Sequence, residues 1–390
     1  MAKTHKIKHV DGTFTITGDN DTWIFLKSAS ITLDDGSQGI DIADSDDITV
    51  ILRNRINAGV FGLAAQGDAM RIEIDEGASI KAGIPLYTSG PNTVVTNRGT
   101  IDAVSDQNAI YSEGLNYELR NFGRITNQNE DTRVATVSVM DNFAHIYNEK
   151  GGRIEGYIAV GAGLEPGETF TLVNRGLISG EARAFYGSRG NDVVVNTGKF
   201  AGFVDLVEGN DVIDTRGGTL AVPYVGGGSG DDLLITDNAH YFLFEYDGGG
   251  NDMIMSTVSY GMRDDSYVET LVLMGSKNIN ATGSIHGEIL AGNVGNNRIH
   301  GMGGHDRLYG DRGDDRLWGD DGSDTFIFRN GSGKDRIMDF THPLDKIELN
   351  SWHGLKSYDD VLDHASFEGG DMTIRAGKDE IASGDFVFGN

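Results

Sequence analysis

The chain has 390 residues, 32 basic and 59 acidic side chains for a net charge of −27, and no cysteine. Such acidity argues against nucleic acid or an anionic membrane as partner. The missing cysteine excludes a disulfide framework, a thiolate metal site and a thiol nucleophile. With 56 glycines and 5 prolines, the composition fits many turns rather than a disordered linker, and the length suits two domains or one elongated solenoid. Met1–Phe14 has lysines but no apolar core or cleavage-like site, and no run approaches membrane-spanning length. The sequence therefore predicts no transmembrane segment and no N-terminal signal peptide.

In chain order, Gly12–Asp19 already alternates like a strand. From about Asp21 a loose repeat follows: an apolar strand, an Asn-x-Gly phrase, an isoleucine-centred strand and a turn. Thr93–Ile101, Tyr117–Ile125 and Phe170–Ile178 are examples. The markers Ile31, Ile56, Ile80, Ile101, Ile125, Ile154, Ile178, Phe200 and Leu220 recur every 20–29 residues. Short strands at such a period predict an all-β chain, a right-handed parallel β-helix with one rung per repeat. Asn97, Asn121, Asn148, Asn174 and Asn196 fall at the same point of successive rungs. Stacked amides there can hydrogen-bond along the column, a structural rather than catalytic role.

Glycine–aspartate turns then appear without loss of period. Gly187–Val195, Glu208–Ile213, Gly227–Ile235 and Asp247–Met255 place Asp192, Asp211, Asp232 and Asp252 at spacings of 19, 21 and 20. One aspartate per rung predicts a single acidic column on that edge, with the helix running on without a linker; a domain break near residue 186 is the alternative. Residues 256–291 carry no such motif and read as two more rungs.

Gly292–Ile327 is four nonapeptides end to end, with glycine at positions 1 and 4 of every unit. Position 6 is Asn297, Asp306, Asp315 and Asp324, and position 8 is Ile299, Leu308, Leu317 and Phe326. Six residues form a tight turn for which glycine supplies positive φ and bare carbonyls. The next three form a strand whose position 8 points inward. Two units make one coil, so units n and n+2 stack on one edge, and a hard cation between them collects carbonyls and two aspartates. A Gly/Asp linker would not keep an apolar residue at every eighth position. The pattern resembles the calcium-binding nonapeptide of the repeats-in-toxin (RTX) type, which implies a parallel β-roll holding several calcium ions.

The expected metal residues are the acids Asp192, Asp211, Asp232, Asp252, Asp306, Asp315 and Asp324, with Asn297 in the equivalent place. To these are added the turn residues Gly227, Ser229, Gly249, Gly301, Gly303, Gly310, Arg312, Gly319 and Asp321. Beyond the block, Asp324–Phe340 and Asp345–Leu349 resemble the C-terminal domain of serralysin-type metalloproteases and the R-modules of mannuronan epimerases. That resemblance implies that Asp324, Asp335 and Asp345 bind a last calcium closing the roll. Ser357–Leu362 starts like a capped helix, and residues 370–374 and Ile381 read as closing strands. The ending Asp385-Phe-Val-Phe388 resembles an uncleaved type I secretion signal, which implies export through a type I exporter to the cell exterior.

Catalytic signatures are scarce. There is no His-Glu-x-x-His and no Gly-x-Ser-x-Gly, and no proline follows an aspartate, which removes the protease, lipase and epimerase elements found beside such repeats. His300 and His305 read as turn-edge residues rather than a zinc pair. Arg98, Arg120, Arg124, Arg153 and Arg175, with Asp102 and Glu155, could line one face of the helix, though exposed arginine is more often a solvated charge. The expected order is a β-helix over 1–186, an RTX helix or roll over 187–327, and a C-terminal cap with secretion signal over 328–390. The reading is a secreted calcium-binding structural or adhesive protein of the surface or matrix, contacting polysaccharide or the cell surface. The alternative is a polysaccharide lyase, epimerase or hydrolase whose groove would include Tyr111, Tyr117 or Tyr157.

Overall fold

The computed structural model describes residues 2–8, 10, 12–27, 29–32, 39–42, 45–127, 134–140, 143–245, 247–341, 343–349, 352–355, 357–368 and 371–384. The chain forms two compact units, Met1–Gly228 and Ser229–Asn390. Each is a parallel β-solenoid, as the repeats predict, and among the described residues no helix is long and apolar enough to cross a membrane.

In the first unit a coil is three short strands, such as Thr49–Leu52, Arg55–Asn57 and Phe61–Ala65. Each pairs in parallel with its counterpart one coil later, in Arg71–Ile74, Ser79–Ala82 and Ile84–Thr88. The sequence shows two strands and a turn per rung. The third strand escapes because Phe-Gly-Leu-Ala-Ala and Ile-Pro-Leu-Tyr-Thr mix glycine, alanine and proline into a run too short to alternate. In Arg153–Ala162 the second and third strands merge, with a shift in pairing between Gly156 and Ile158.

The apolar markers are direct neighbours. Ile31, Ile56, Ile80, Ile101, Ile125, Ile154, Ile178, Phe200 and Leu220 pair residue to residue and are all buried. Each fully buried isoleucine contributes about 1.5–3 kcal/mol of transfer free energy, so the column carries much of the core.

The asparagines form a continuous ladder. Nδ2 of Asn97 donates to Oδ1 of Asn121 at 2.9 Å, Asn121 to Asn148 at 2.8 Å, Asn148 to Asn174 at 2.9 Å and Asn174 to Asn196 at 2.8 Å. Asn121 Oδ1 also accepts the Gly123 amide at 3.2 Å. That turn closes only on glycine, since a Cβ on Gly123 would lie 2.2 Å from Gly99 O.

In the second unit, two strands make a coil. Ile289–Ala291, Arg307–Tyr309, Thr325–Ile327 and Lys346–Glu348 stack in one sheet, and Arg298–His300, Arg316–Trp318 and Lys334–Ile337 in another. Alternate nonapeptides therefore lie on the same edge. Their position-8 residues, with Leu290 before the block and Ile337 after it, meet in two buried files, Leu290–Leu308–Phe326 and Ile299–Leu317–Ile337.

After the repeats, Ser357 caps the helix Tyr358–His364, its Oγ accepting the Asp360 amide at 3.1 Å. Asp379–Ser383 pairs in parallel with Lys334–Ile337 and antiparallel with Asp371–Ala376. The closing strands expected there are present, and the hairpin occupies what would be an open sheet edge.

Replacing Asn148 by alanine strips the ladder of an acceptor and a donor in a dry environment. The expected loss is about 1–3 kcal/mol, seen as a lowered urea midpoint; an unchanged midpoint would mean that the ladder adds no stability.

Candidate metal centre

On the edge preceding the first sheet of the second unit, each position-6 carboxylate accepts the amide of its counterpart one coil earlier. Asp232 N donates to Asp252 Oδ1 at 2.8 Å, Glu288 N to Asp306 Oδ1 at 2.8 Å, Asp306 N to Asp324 Oδ1 at 2.9 Å and Asp324 N to Asp345 Oδ1 at 2.9 Å. The opposite edge repeats this, Asn297 N donating to Asp315 Oδ1 at 2.7 Å and Asp315 N to Asp335 Oδ1 at 3.0 Å. One oxygen of each acid thus builds the stack.

The other oxygen is left over. Oδ2 of Asp252, Asp306, Asp315, Asp324 and Asp335 is buried with no hydrogen-bond partner. An oxygen in that state costs about 1–3 kcal/mol or more unless something binds it. Glycine at position 1 makes room for it. A Cβ on Gly301 would lie 2.3 Å from Asp306 Oδ2 and 2.6 Å from Gly319 O, and one on Gly310 or Gly319 would lie 2.5 Å or 2.4 Å from the Oδ2 of Asp315 or Asp324. The position where a side chain would start is therefore ringed by carboxylate and carbonyl oxygens. Gly304, Gly313 and Gly322 at position 4 have φ of +112°, +136° and +153°, and position 2 is left-handed even without glycine, with Met302 at +77°, Asp311 at +62° and Asp320 at +59°. Such backbone costs of order 1 kcal/mol per residue, and the turn keeps it. An oxygen-only, anionic cradle suits a hard cation of calcium's size.

Electrostatics agree. Burial, opposed by the amide hydrogen bond and reinforced by neighbouring carboxylates, pushes Asp306 and Asp335 up to about 8 and Asp315 to about 7. The same causes raise Asp324 and Asp252 to about 6. A bound cation would supply the missing counter-charge.

Other expected residues are placed differently. Asp192 in the first unit has both oxygens engaged, by Ser188 N at 2.9 Å and Ser188 Oγ at 3.1 Å, while its amide donates to Asp211 Oδ1 at 2.7 Å. Asn297 spends its amide group on Asn293 N, Asn293 Oδ1 and Ile279 O. Asp335 and Asp345, expected at one closing site, end opposite columns, and Asp345 Oδ2 takes the Thr341 amide at 2.7 Å. Gly249 O accepts the Gly230 amide at 2.8 Å. Ser229, Arg312 and Asp321 are exposed, Gly303 is half-buried and Gly227 is buried. The segment Asp385–Phe388 lies outside the described residues.

Residues 256–291, which carry no glycine–aspartate motif, nonetheless continue the acidic stack with glutamates. Glu269 Oε2 accepts the Asp252 amide at 2.7 Å, and Glu288 takes the next position-6 place. Gly283 and Leu290 frame Glu288 as positions 1 and 8; the signal was present, but glutamate replaces aspartate. Glu245 also joins: one carboxylate oxygen each of Asp232, Glu245 and Asp252 lie within 4.8 Å of one another.

On the first unit, the arginine face is taken up by ion pairs. Arg124 and Arg153 share Glu155, Arg120 meets Glu118 and Arg175 meets Glu149, while Arg98 lies over Phe122. Tyr117 is core, and Tyr111 hydrogen-bonds Glu113 at 2.6 Å. His300 stacks on Trp318 with ring centroids 4.2 Å apart, and His305 Nδ1 accepts the Ser323 amide.

The family model of the RTX calcium-binding nonapeptide repeat matches residues 291–326 in four copies, so the chain carries these repeats and calcium is its metal. No curated protein matches the chain. Among solved structures, the extracellular lipase LipA from Serratia marcescens is similar at 18% identity and a TM-score of 0.20, over 64% of this chain and 43% of that one. The chain thus spans less than half the length of that structure.

The raised carboxyl groups set a pH dependence. Asp306 and Asp335 hold a proton to about pH 8 when folded, against an ordinary value of 3.8. Between those values the folded state binds more protons than the unfolded one, so stability falls as pH rises. In chelator, the melting temperature should drop from pH 5 to pH 8; saturating calcium, which displaces the protons, should abolish the drop. A flat profile in chelator would contradict this assignment.

Proposed function

We propose that the protein is a secreted calcium-binding β-solenoid whose second unit folds when it meets extracellular calcium, and that it serves as a structural or adhesive component of a surface or matrix. The observation that carries this reading is the buried carboxylate oxygens left without partners along both edges, at Asp252, Asp306 and Asp324 on one and at Asp315 and Asp335 on the other. Without a cation these acids must either stay protonated or repel one another in a dry turn, so an ion-poor compartment favours the unfolded chain and an ion-rich one the folded chain. An unfolded chain suits passage through a type I exporter, the route that the C-terminal resemblance implies.

Contact with polysaccharide is supported by the outer face of the second unit. Arg298, Arg316 and Arg336 stand in register on adjacent parallel strands. Among the described residues, Arg298 and Arg316 have no ion-pair partner, although the chain carries a net charge of −27. They border a polar groove of about 540 Å³ with Lys334, Arg336 and Asn296 and with the acids Asp314 and Asp315, and Trp318 is half-buried on the same strand face. Like charges stacked directly across strands are unfavourable, and an acidic polysaccharide would relieve them, with the indole as a platform for a sugar ring. The alternative of a polysaccharide-modifying enzyme on residues 20–186 has no comparable observation in its favour.

Circular dichroism of the chelator-treated chain, titrated with calcium and separately with magnesium, tests the folding reading. At pH 9, where Asp306 and Asp335 no longer hold their protons, a cooperative gain of β signal with calcium alone is expected; a chain fully folded in chelator at that pH would sink the proposal. For the surface, the double variant Arg298→Ala/Arg316→Ala should lose roughly tenfold or more in retention on an acidic polysaccharide. Retention on a neutral one should be unchanged, as should the calcium titration. Equal retention on both polymers before and after substitution would remove this face from the reading.

A further inference from the structure

Glu245 brings a carboxylate to the metal edge from outside any nonapeptide frame. It directly follows the strand Phe242–Phe244 and is 1% exposed, between Asp232 at 2% and Asp252 at 1%. One carboxylate oxygen from each of the three lies within 4.8 Å of the others. Three acids so close in a dry site cannot all ionise without a cation among them. Asp252 supplies an independent sign of a ligand: its Oδ1 is occupied by the Asp232 amide at 2.8 Å, while its Oδ2 is fully buried with no hydrogen-bond partner. The turns around the cluster are stacked as tightly as in the tandem repeats, since a Cβ on Gly250 would lie 1.9 Å from Gly230 O. The cluster lies outside residues 291–326, where the repeat model matches.

We propose that Asp232, Glu245 and Asp252 form a three-carboxylate calcium site of their own, and that it fills before the sites of the tandem block. The proposal rests on the calcium reading above and adds an order of filling to it. Calcium affinity rises with the number of charged oxygen ligands in a preformed shell. In the block, Asn297 contributes a neutral group already committed to Asn293 and Ile279. Glu288 has both oxygens drawn to Ser284, one by its amide at 3.3 Å and one by its hydroxyl. Among the described residues, Asp232, Glu245 and Asp252 are the three acids whose carboxylate oxygens lie this close together. Magnesium would compete poorly, because a cluster of this kind lacks the small octahedral shell and retained waters that it requires.

Calorimetric titration of the full chain with calcium, from the chelator-treated state, decides the matter for wild type, Glu245→Gln and Asp315→Asn. The tightest class should lose one ion, or weaken by at least about tenfold, in Glu245→Gln, since even outer-shell losses reach that size. Asp315→Asn should instead reduce the weaker class. If Glu245→Gln titrates like wild type, or loses only weak binding, the site is overturned. Should that variant fail to regain the wild-type circular dichroism at saturating calcium, Glu245→Asp keeps the charge on a shorter arm. Weakened tight binding in Glu245→Asp supports the proposal, and a wild-type titration overturns it. A wild-type chain that takes up no calcium at all would fail the functional reading itself; a calcium-binding wild type indistinguishable from the glutamate variants would fail only this inference.

Discussion

A carboxylate has two oxygens, and the second unit is built on giving them different tasks. One accepts the amide of the preceding coil and so fixes the register of the stack; the other is kept dry with nothing in the protein to bind it. Register and metal demand are therefore the same residue. The glycine at position 1, the left-handed turn and the inward apolar residue two places after the acid all serve to hold that arrangement. A cation bound to that second oxygen would add its binding free energy to that of the stack.

Over residues 97–196 the first unit solves the same stacking problem with amides. Its asparagines carry both a donor and an acceptor, so each amide satisfies the next and the column closes on itself. A neutral ladder can be repeated indefinitely at no electrostatic cost, whereas every added coil of aspartate raises the repulsion within its column. The difference between amide and carboxylate, a single functional group, separates a column complete in itself from one that leaves an oxygen of each acid without a partner.

Charge is also sorted across the surface. On the first unit most of the described arginines are matched to a glutamate or an aspartate, a pattern worth little in stability but effective in keeping a repetitive surface neutral. On the second, the carboxylates are drawn inward to the metal edge, and Arg298 and Arg316 are left facing solvent. Calcium sites and an outward basic face thus arise from the same alternation along a strand, with the acid at position 6 turned in and the arginine at position 7 turned out.

Periodicity made much of this legible before any coordinates. A nine-residue repeat with glycine, aspartate and an apolar residue at set positions implies which units stack, and a repeat of 20–29 residues gave the isoleucine file and the asparagine ladder residue by residue. Those are properties of one repeating strand and its neighbour, which spacing alone determines. The tertiary structure decided what depends on groups distant in sequence or on where a hydrogen bond goes. It spent Asp192 on Ser188 and Asn297 on Asn293, sent Asp335 and Asp345 to opposite columns, and placed Glu288 where a motif search expects aspartate. It also folded Glu245 against two acids with which it shares no repeat. A period can say that an oxygen reaches an edge; only the packed coils determine whether that oxygen is already taken.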